Sequence, residues 1–192
     1  MIKCKEDLRI YLEADRIALG RKNKRPALQD LIWRYEIALR KCEYYSNQLG
    51  LFNKACYYVY KVKLHKLGVK CNYTIAINSV DMGLSIAHIG PIVISNSAQI
   101  GKNCRIHIGV NIGTMAGNAV GGKAPIIGDN VYIGPGAKLF GDIKIGNGIA
   151  IGANAVVNKS FESDNVTLGG IPARVISEKG SEGMLIKGSE LV

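Results

Sequence analysis

Histidine is scarce in this chain: His65, His88 and His107 are the only three. Neither they nor the five cysteines fall at metal-ligand spacings, which argues against a zinc site. An odd cysteine count (Cys4, Cys42, Cys56, Cys71, Cys104) fits free thiols in a reducing compartment better than a disulfide framework. No uninterrupted apolar run approaches the length of a membrane span. The N-terminal stretch MIKCKEDLRIYLEAD carries charge throughout, unlike a signal peptide. A soluble cytoplasmic protein is expected. The formal net charge is +10, yet no aromatic-basic recognition motif accompanies it. The basic residues gather in the first 70 positions at helix-like spacings, as on solvated helix faces, and no nucleic-acid partner is expected.

What is present is a period of six. Branched aliphatics recur at Ile94, Ile100, Ile106 and Ile112, then at Ile127, Ile133, Leu139, Ile145, Ile151 and Val157. Glycine follows six of these ten anchors. Smaller apolar residues stand four positions after most of them: Ala98, Cys104, Val110, Val131, Ala137, Ile143, Ile149 and Ala155. Neither a helix nor a simple alternating strand gives that period. Each anchor must therefore occupy the same place in a repeating turn of extended chain, three hexads making one triangular coil with the anchors inside.

Ahead of the repeat, residues 1–68 read as a small helical domain. Leu8, Tyr11, Leu12 and Leu19 mark a first amphipathic helix. Pro26 is expected in the first turn of a second, which ends before Gly50, and a third runs from about Leu51 to Leu67 and stops at Gly68. Tyr57, Tyr58 and Tyr60 on the third are expected as packing residues, and His65 as a surface residue. Residues 69–177 are the β domain, interrupted by a glycine-rich loop at 113–125. Residues 178–192 form a C-terminal segment with little pattern, expected as a mobile tail. Counting back six from Ile94 lands on His88 and then Met82, placing a titratable side chain where later coils put an aliphatic anchor. Breaks in a local rule tend to mark function.

The segment GLSIAHIGPIVISNSAQIGKNCRIHIGVNIG (83–113), the hexads, the loop and GGIPARVI (169–176) together resemble the hexapeptide-repeat acyltransferases, and among them the serine acetyltransferase branch. That resemblance implies a mainly β fold, a left-handed parallel β-helix that departs from the usual right-handed crossover. It implies a homotrimer, alone or as a dimer of trimers, binding acetyl-CoA as co-substrate in grooves between neighbouring prisms, with no metal required. The excess positive charge suits so anionic a co-substrate. His88 aligns with the family's catalytic histidine and is expected to act as general base, imidazole titrating close to working pH. His107 either assists or lines the acceptor pocket, or is an exposed structural residue. Gly113 belongs to a turn expected to face the oxyanion. Gly134, Pro135, Gly152 and Ala153 are expected along the pantetheine. Lys159 and Arg174 either meet the coenzyme A phosphates or are plain solvated charge.

Departures from the family concern the acceptor. Ala87 replaces the Asp that precedes the family's histidine, Tyr73 stands at the place of an upstream orienting Asp, and the loop ends Lys123-Ala124-Pro125 instead of Arg-His-Pro. Asp15, in LEADR, holds the place of a substrate-facing Asp. With so few groups left to grip an amino acid, the sequence favours a sugar or surface-polysaccharide precursor as acceptor. A serine O-acetyltransferase using Asp15 and Lys123 as contacts is the alternative, and a non-catalytic trimeric scaffold is a third. Gamma-class carbonic anhydrases share the hexads but need three histidines at metal spacing.

Overall fold

A computed structural model describes residues 1–115 and 122–192; residues 116–121, the middle of the expected 113–125 loop, lie outside the described residues. The strands stack as three parallel ladders, the faces of a left-handed parallel β-helix. The first face holds Tyr73–Ile75, Ile92–Ile94, Asn111–Gly113, Lys138–Phe140 and Val156–Val157. The second holds Gln99–Ile100, Ile126–Ile127 and Lys144–Ile145. The third holds Ser85–Ile86, Arg105–Ile106, Tyr132–Ile133, Ala150–Ile151 and Thr167–Gly169, closed by the antiparallel strand Arg174–Ser177.

Register explains the hexads. Ile94 pairs with Ile112, and Ile127 with Ile145, so one turn takes eighteen residues. The turn crossed by the loop takes twenty-seven, from Ile100 to Ile127. All ten anchors and all eight of the smaller set are buried, one aliphatic stacked on the next up the prism. The corners follow a rule the hexads did not disclose. Asn103, Asn130, Asn154 and Asn165 all adopt positive φ, a conformation that asparagine tolerates because its short amide bonds locally. Asn103 Nδ2 donates to Asn130 Oδ1 at 2.8 Å, tying one coil to the next.

The expected positions of His88 and Met82 as interior anchors are not observed. Ile86 pairs with Ile106, and Val80 bridges to Ile100. Both Val80 and Ile86 are buried, whereas His88 is exposed. Eight residues separate Ile86 from Ile94, where the next coil uses six between Ile106 and Ile112. The repeat does break here, but as a two-residue expansion of one corner, which carries His88 outward.

Three helices precede the prism among the described residues: α1 (Lys5–Ala18), α2 (Leu31–Ser46) and α3 (Leu51–Cys71). Cys4 and Asp7 form a reciprocal cap on α1. Helix α2 starts five residues after Pro26, because the Asp30 carboxylate caps Trp33 N–H and fixes the boundary there. Helix α3 continues through Gly68 to Cys71, and Asn72 in the left-handed conformation ends it. Gly68 is there for contact rather than termination: a Cβ would lie 2.8 Å from the Tyr73 carbonyl oxygen. The C-terminal segment is pinned, contrary to expectation. Ser181 N–H donates to Gly148 O at 2.8 Å, and Ser189 N–H to Asn103 Oδ1 at 2.9 Å. The short 3-10 turn Gly188–Glu190 packs on α1. No helix among the described residues is long and apolar enough to cross a membrane.

Candidate active site

The edge between the third and first faces gathers most of the expected site residues. Its successive corners carry His88 to Pro91, His107 to Gly109, Gly134 to Gly136, and Gly152 to Asn154. Main-chain bonds stack them: His107 N–H to Ile133 O, Gly134 N–H to Ile151 O, and Gly152 N–H to Leu168 O, at 3.1, 2.8 and 2.8 Å. Glycine is required at Gly134, where a Cβ would come within 2.7 Å of the Ile151 carbonyl oxygen. The result is an edge of small residues leading away from two imidazoles.

The rings of His88 and His107 lie 5.9 Å apart between centroids, and His107 lies 5.1 Å from the ring of Tyr132. Partial burial, the Arg105 guanidinium and His88 hold His107 below the ordinary imidazole range, favouring its neutral form. Arg105 is itself directed to Ser85 Oγ at 3.0 Å. A cation reaches the same edge from the neighbouring face, where Lys138 Nζ donates to the Gly109 carbonyl. Sequence reasoning missed Lys138 and Tyr132, which stand at ordinary outward positions of a hexad; only the completed register shows which corner they approach.

Other expected residues lie elsewhere. Gly113 ends its strand beside the loop, and Lys159 lies over the Phe161 ring past the end of the first-face ladder; neither is on the histidine edge. Arg174 opposes Gly169 on the closing antiparallel strand. Lys123 is exposed and pairs with Asp142 at 2.7 Å. Asp15 corrects the expectation most sharply. It is 1% exposed, and its carboxylate accepts from Arg40 Nε at 2.7 Å and from Gly83 and Leu84 N–H at 2.8 and 2.9 Å. It locks the helices to the prism and faces no open site. A cleft of about 700 Å³ between α3 and the first face, lined by Tyr57, Lys61, His65 and Tyr73 among others, does not include His88.

Around Arg40 the interior holds three acids: Asp15, Glu36 and Glu43, all within 2% exposure. Burial disfavours the guanidinium charge, but Asp15 and Glu43 outweigh it and raise the Arg40 pKa. Glu36 receives no such partner. Burial, and then the Asp15 carboxylate, push it well above the ordinary range, and its Oε2 is unpartnered. The folded chain thus keeps a proton on Glu36 that the unfolded chain releases above about pH 4.5. Stability contributed by that group is complete at lower pH and is lost as pH rises, by at most about 1.4 kcal/mol per pH unit. Glu36→Gln removes this term. The variant's melting temperature is therefore expected to gain on the wild type by roughly 3 °C per pH unit above about pH 5, in thermal melts run side by side. Parallel curves would contradict a buried proton.

The model for bacterial transferase hexapeptide (six repeats) matches residues 124–159. Serine acetyltransferase of Synechococcus elongatus is 41% identical over 98 residues, covering 51% of this chain and 39% of that protein. Serine acetyltransferase of Mycobacterium tuberculosis is 44% identical over 94 residues, covering 48% and 40%. Soybean serine acetyltransferase superposes over 90% of this chain and 70% of its own, with a TM-score of 0.71 and 26% identity. The chain carries hexapeptide repeats and is similar to serine acetyltransferases, in sequence over about half its length and in fold over most of it. A coenzyme A complex of the Brucella abortus enzyme is also similar, at TM-score 0.63 and 26% identity over 91% of this hexapeptide-repeat chain and 68% of that one. The chain spans about two-fifths of the length of the two curated relatives named above.

Proposed function

We propose that the chain is an acetyl-CoA-dependent O-acetyltransferase, working as a homotrimer, with His88 as general base. The observation that carries this reading is the expanded corner: two extra residues between the buried anchors Ile86 and Ile94 push one imidazole outward. A hydroxyl attacks the thioester carbonyl as His88 takes its proton. The carbon–sulfur bond then breaks, and the proton passes on so that coenzyme A leaves as the thiol. Neutral His107 is placed beside His88 to orient the acceptor. The small residues Gly134, Pro135, Gly152 and Ala153 would let pantetheine approach the backbone, with Arg174 near the far end for phosphate. Gly113 and Lys159 would have to act from another edge.

For the acceptor, the names of the relatives favour L-serine over the sugar expected from sequence. A sugar hydroxyl stays as a second reading on one observation. Asp15 is consumed by Arg40 and Ala87 offers no carboxylate, so neither supplies the partner that a serine ammonium needs. Thiol release from acetyl-CoA, measured with L-serine against a panel of sugars, separates them. Saturable release with serine alone supports the first reading. Release with sugars alone supports the second, and none with any acceptor overturns the activity.

A further inference from the structure

The strand Ser85–Ile86 is the outermost of its ladder, with a neighbour on one side only. Such an edge exposes unpaired N–H and C=O groups, which must find water or another partner. Here the helices, and at the last position the first strand, supply partners one after another along residues 78–88. Glu43 Oε1 accepts from Asn78 N–H at 2.9 Å. Arg40 donates to the carbonyls of Val80 and Asp81, both at 2.7 Å. Asp15 accepts from Gly83 and Leu84, and Glu36 Oε1 from Ile86 N–H at 3.1 Å. The series ends on the histidine itself, where the Tyr73 hydroxyl donates to the His88 carbonyl at 2.8 Å. Among the described residues no carboxylate bonds the His88 imidazole, and Ala87 precedes it.

We propose that Asp15, Glu36 and Tyr73 are positioning residues that set His88 through its main chain, in place of an acidic partner on its ring. The inference rests on His88 being the general base. Its physical logic is local. An expanded corner is the least constrained part of a β-helix coil, and its neighbour Ile89 is half exposed. An imidazole that must meet a reacting hydroxyl needs its backbone fixed, because displacement by about 1 Å can lower turnover by roughly a hundredfold. The buried side chains hold that backbone every one or two residues from 78 to 88.

Tyr73→Phe is the cleanest test, since it removes one hydroxyl and keeps the ring, including its edge contact with Tyr35 at 5.0 Å. Turnover is expected to fall about tenfold or more, with KM for acetyl-CoA within about twofold of wild type. The inflection of the pH–rate profile should not move, because the hydroxyl touches no titrating atom of His88. Glu36→Ala should do the same, and Glu36→Gln, which keeps the carbonyl acceptor for Ile86 N–H, should restore turnover. Hydrogen exchange of amides 83–90 gives a readout independent of activity: faster in Tyr73→Phe and Glu36→Ala, unchanged in Glu36→Gln. Unchanged exchange and unchanged turnover in Tyr73→Phe would overturn the inference, as would a shifted inflection, which would place the hydroxyl on the ring. A wild-type chain inactive with every acceptor sinks the proposed activity instead, and the exchange result alone then decides whether the clamp exists.

Discussion

His88→Ala is expected to lower acetyl transfer by about 10²- to 10⁴-fold while leaving the fold intact. The size follows from the chemistry. An alcohol attacks a thioester slowly unless a base takes its proton in the transition state, and among the described residues the histidine edge offers only two imidazoles, His88 and His107. The intact fold follows from the position. His88 is exposed, its side chain contributes nothing to the aliphatic ladder that Ile86 continues, and the Tyr73 bond is to its carbonyl, which alanine retains. The measurements are kcat with the acceptor identified by the panel, and a thermal melt within a few degrees of wild type. Full loss in His107→Ala with near-native turnover in His88→Ala would transfer the role to the neighbouring ring.

The second large effect is on stability. Asp15→Ala is expected to destabilise the chain by about 3–5 kcal/mol, because it strips a buried guanidinium of its closest partner. The variant leaves Arg40, with no exposed side-chain surface, paired to Glu43 alone at 3.0 Å, and orphans the Gly83 and Leu84 N–H groups in the interior. A fall in melting temperature on the order of 10 °C is the corresponding shift for a domain of this size. An Asp15 that faced a substrate would give the opposite pattern, a raised KM for the acceptor with an unchanged melt. Calorimetry together with KM distinguishes the two.

Much of the fold was legible because a β-helix repeats one packing problem. Once Ile94 to Ile112 fixes a turn, every later anchor is constrained by the one beneath it. Legibility failed where the period does not propagate. Counting by six across the corner at His88 gave the wrong interior residue, since nothing in the local sequence signals a two-residue expansion; only the pairing of Ile86 with Ile106 does. The candidate site was half legible. The corner residues His107, Gly134, Pro135, Gly152 and Ala153 directly follow stacked hexad anchors and so converge on one edge, which His88 joins only through the expanded corner. Asp15 depends on how the helices dock, and Tyr73, on the first strand, on its hydroxyl reaching the His88 corner; no periodicity encodes either. The residue count that aligned Tyr73 with an orienting acid was right about proximity and wrong about the atom, since its partner is the main chain of His88. The C-terminal segment read as a tail because its anchors are single serines and glycines, which carry no hydrophobic pattern.

The most direct test of the account is mass spectrometry of the acceptor after incubation with acetyl-CoA and either wild-type chain or His88→Ala. Wild-type chain should add one acetyl group to a hydroxyl oxygen of the acceptor, with matching release of coenzyme A, and His88→Ala should add it at least about a hundredfold more slowly. Equal acetylation by both proteins, or none by the wild type with any hydroxyl acceptor, would contradict it.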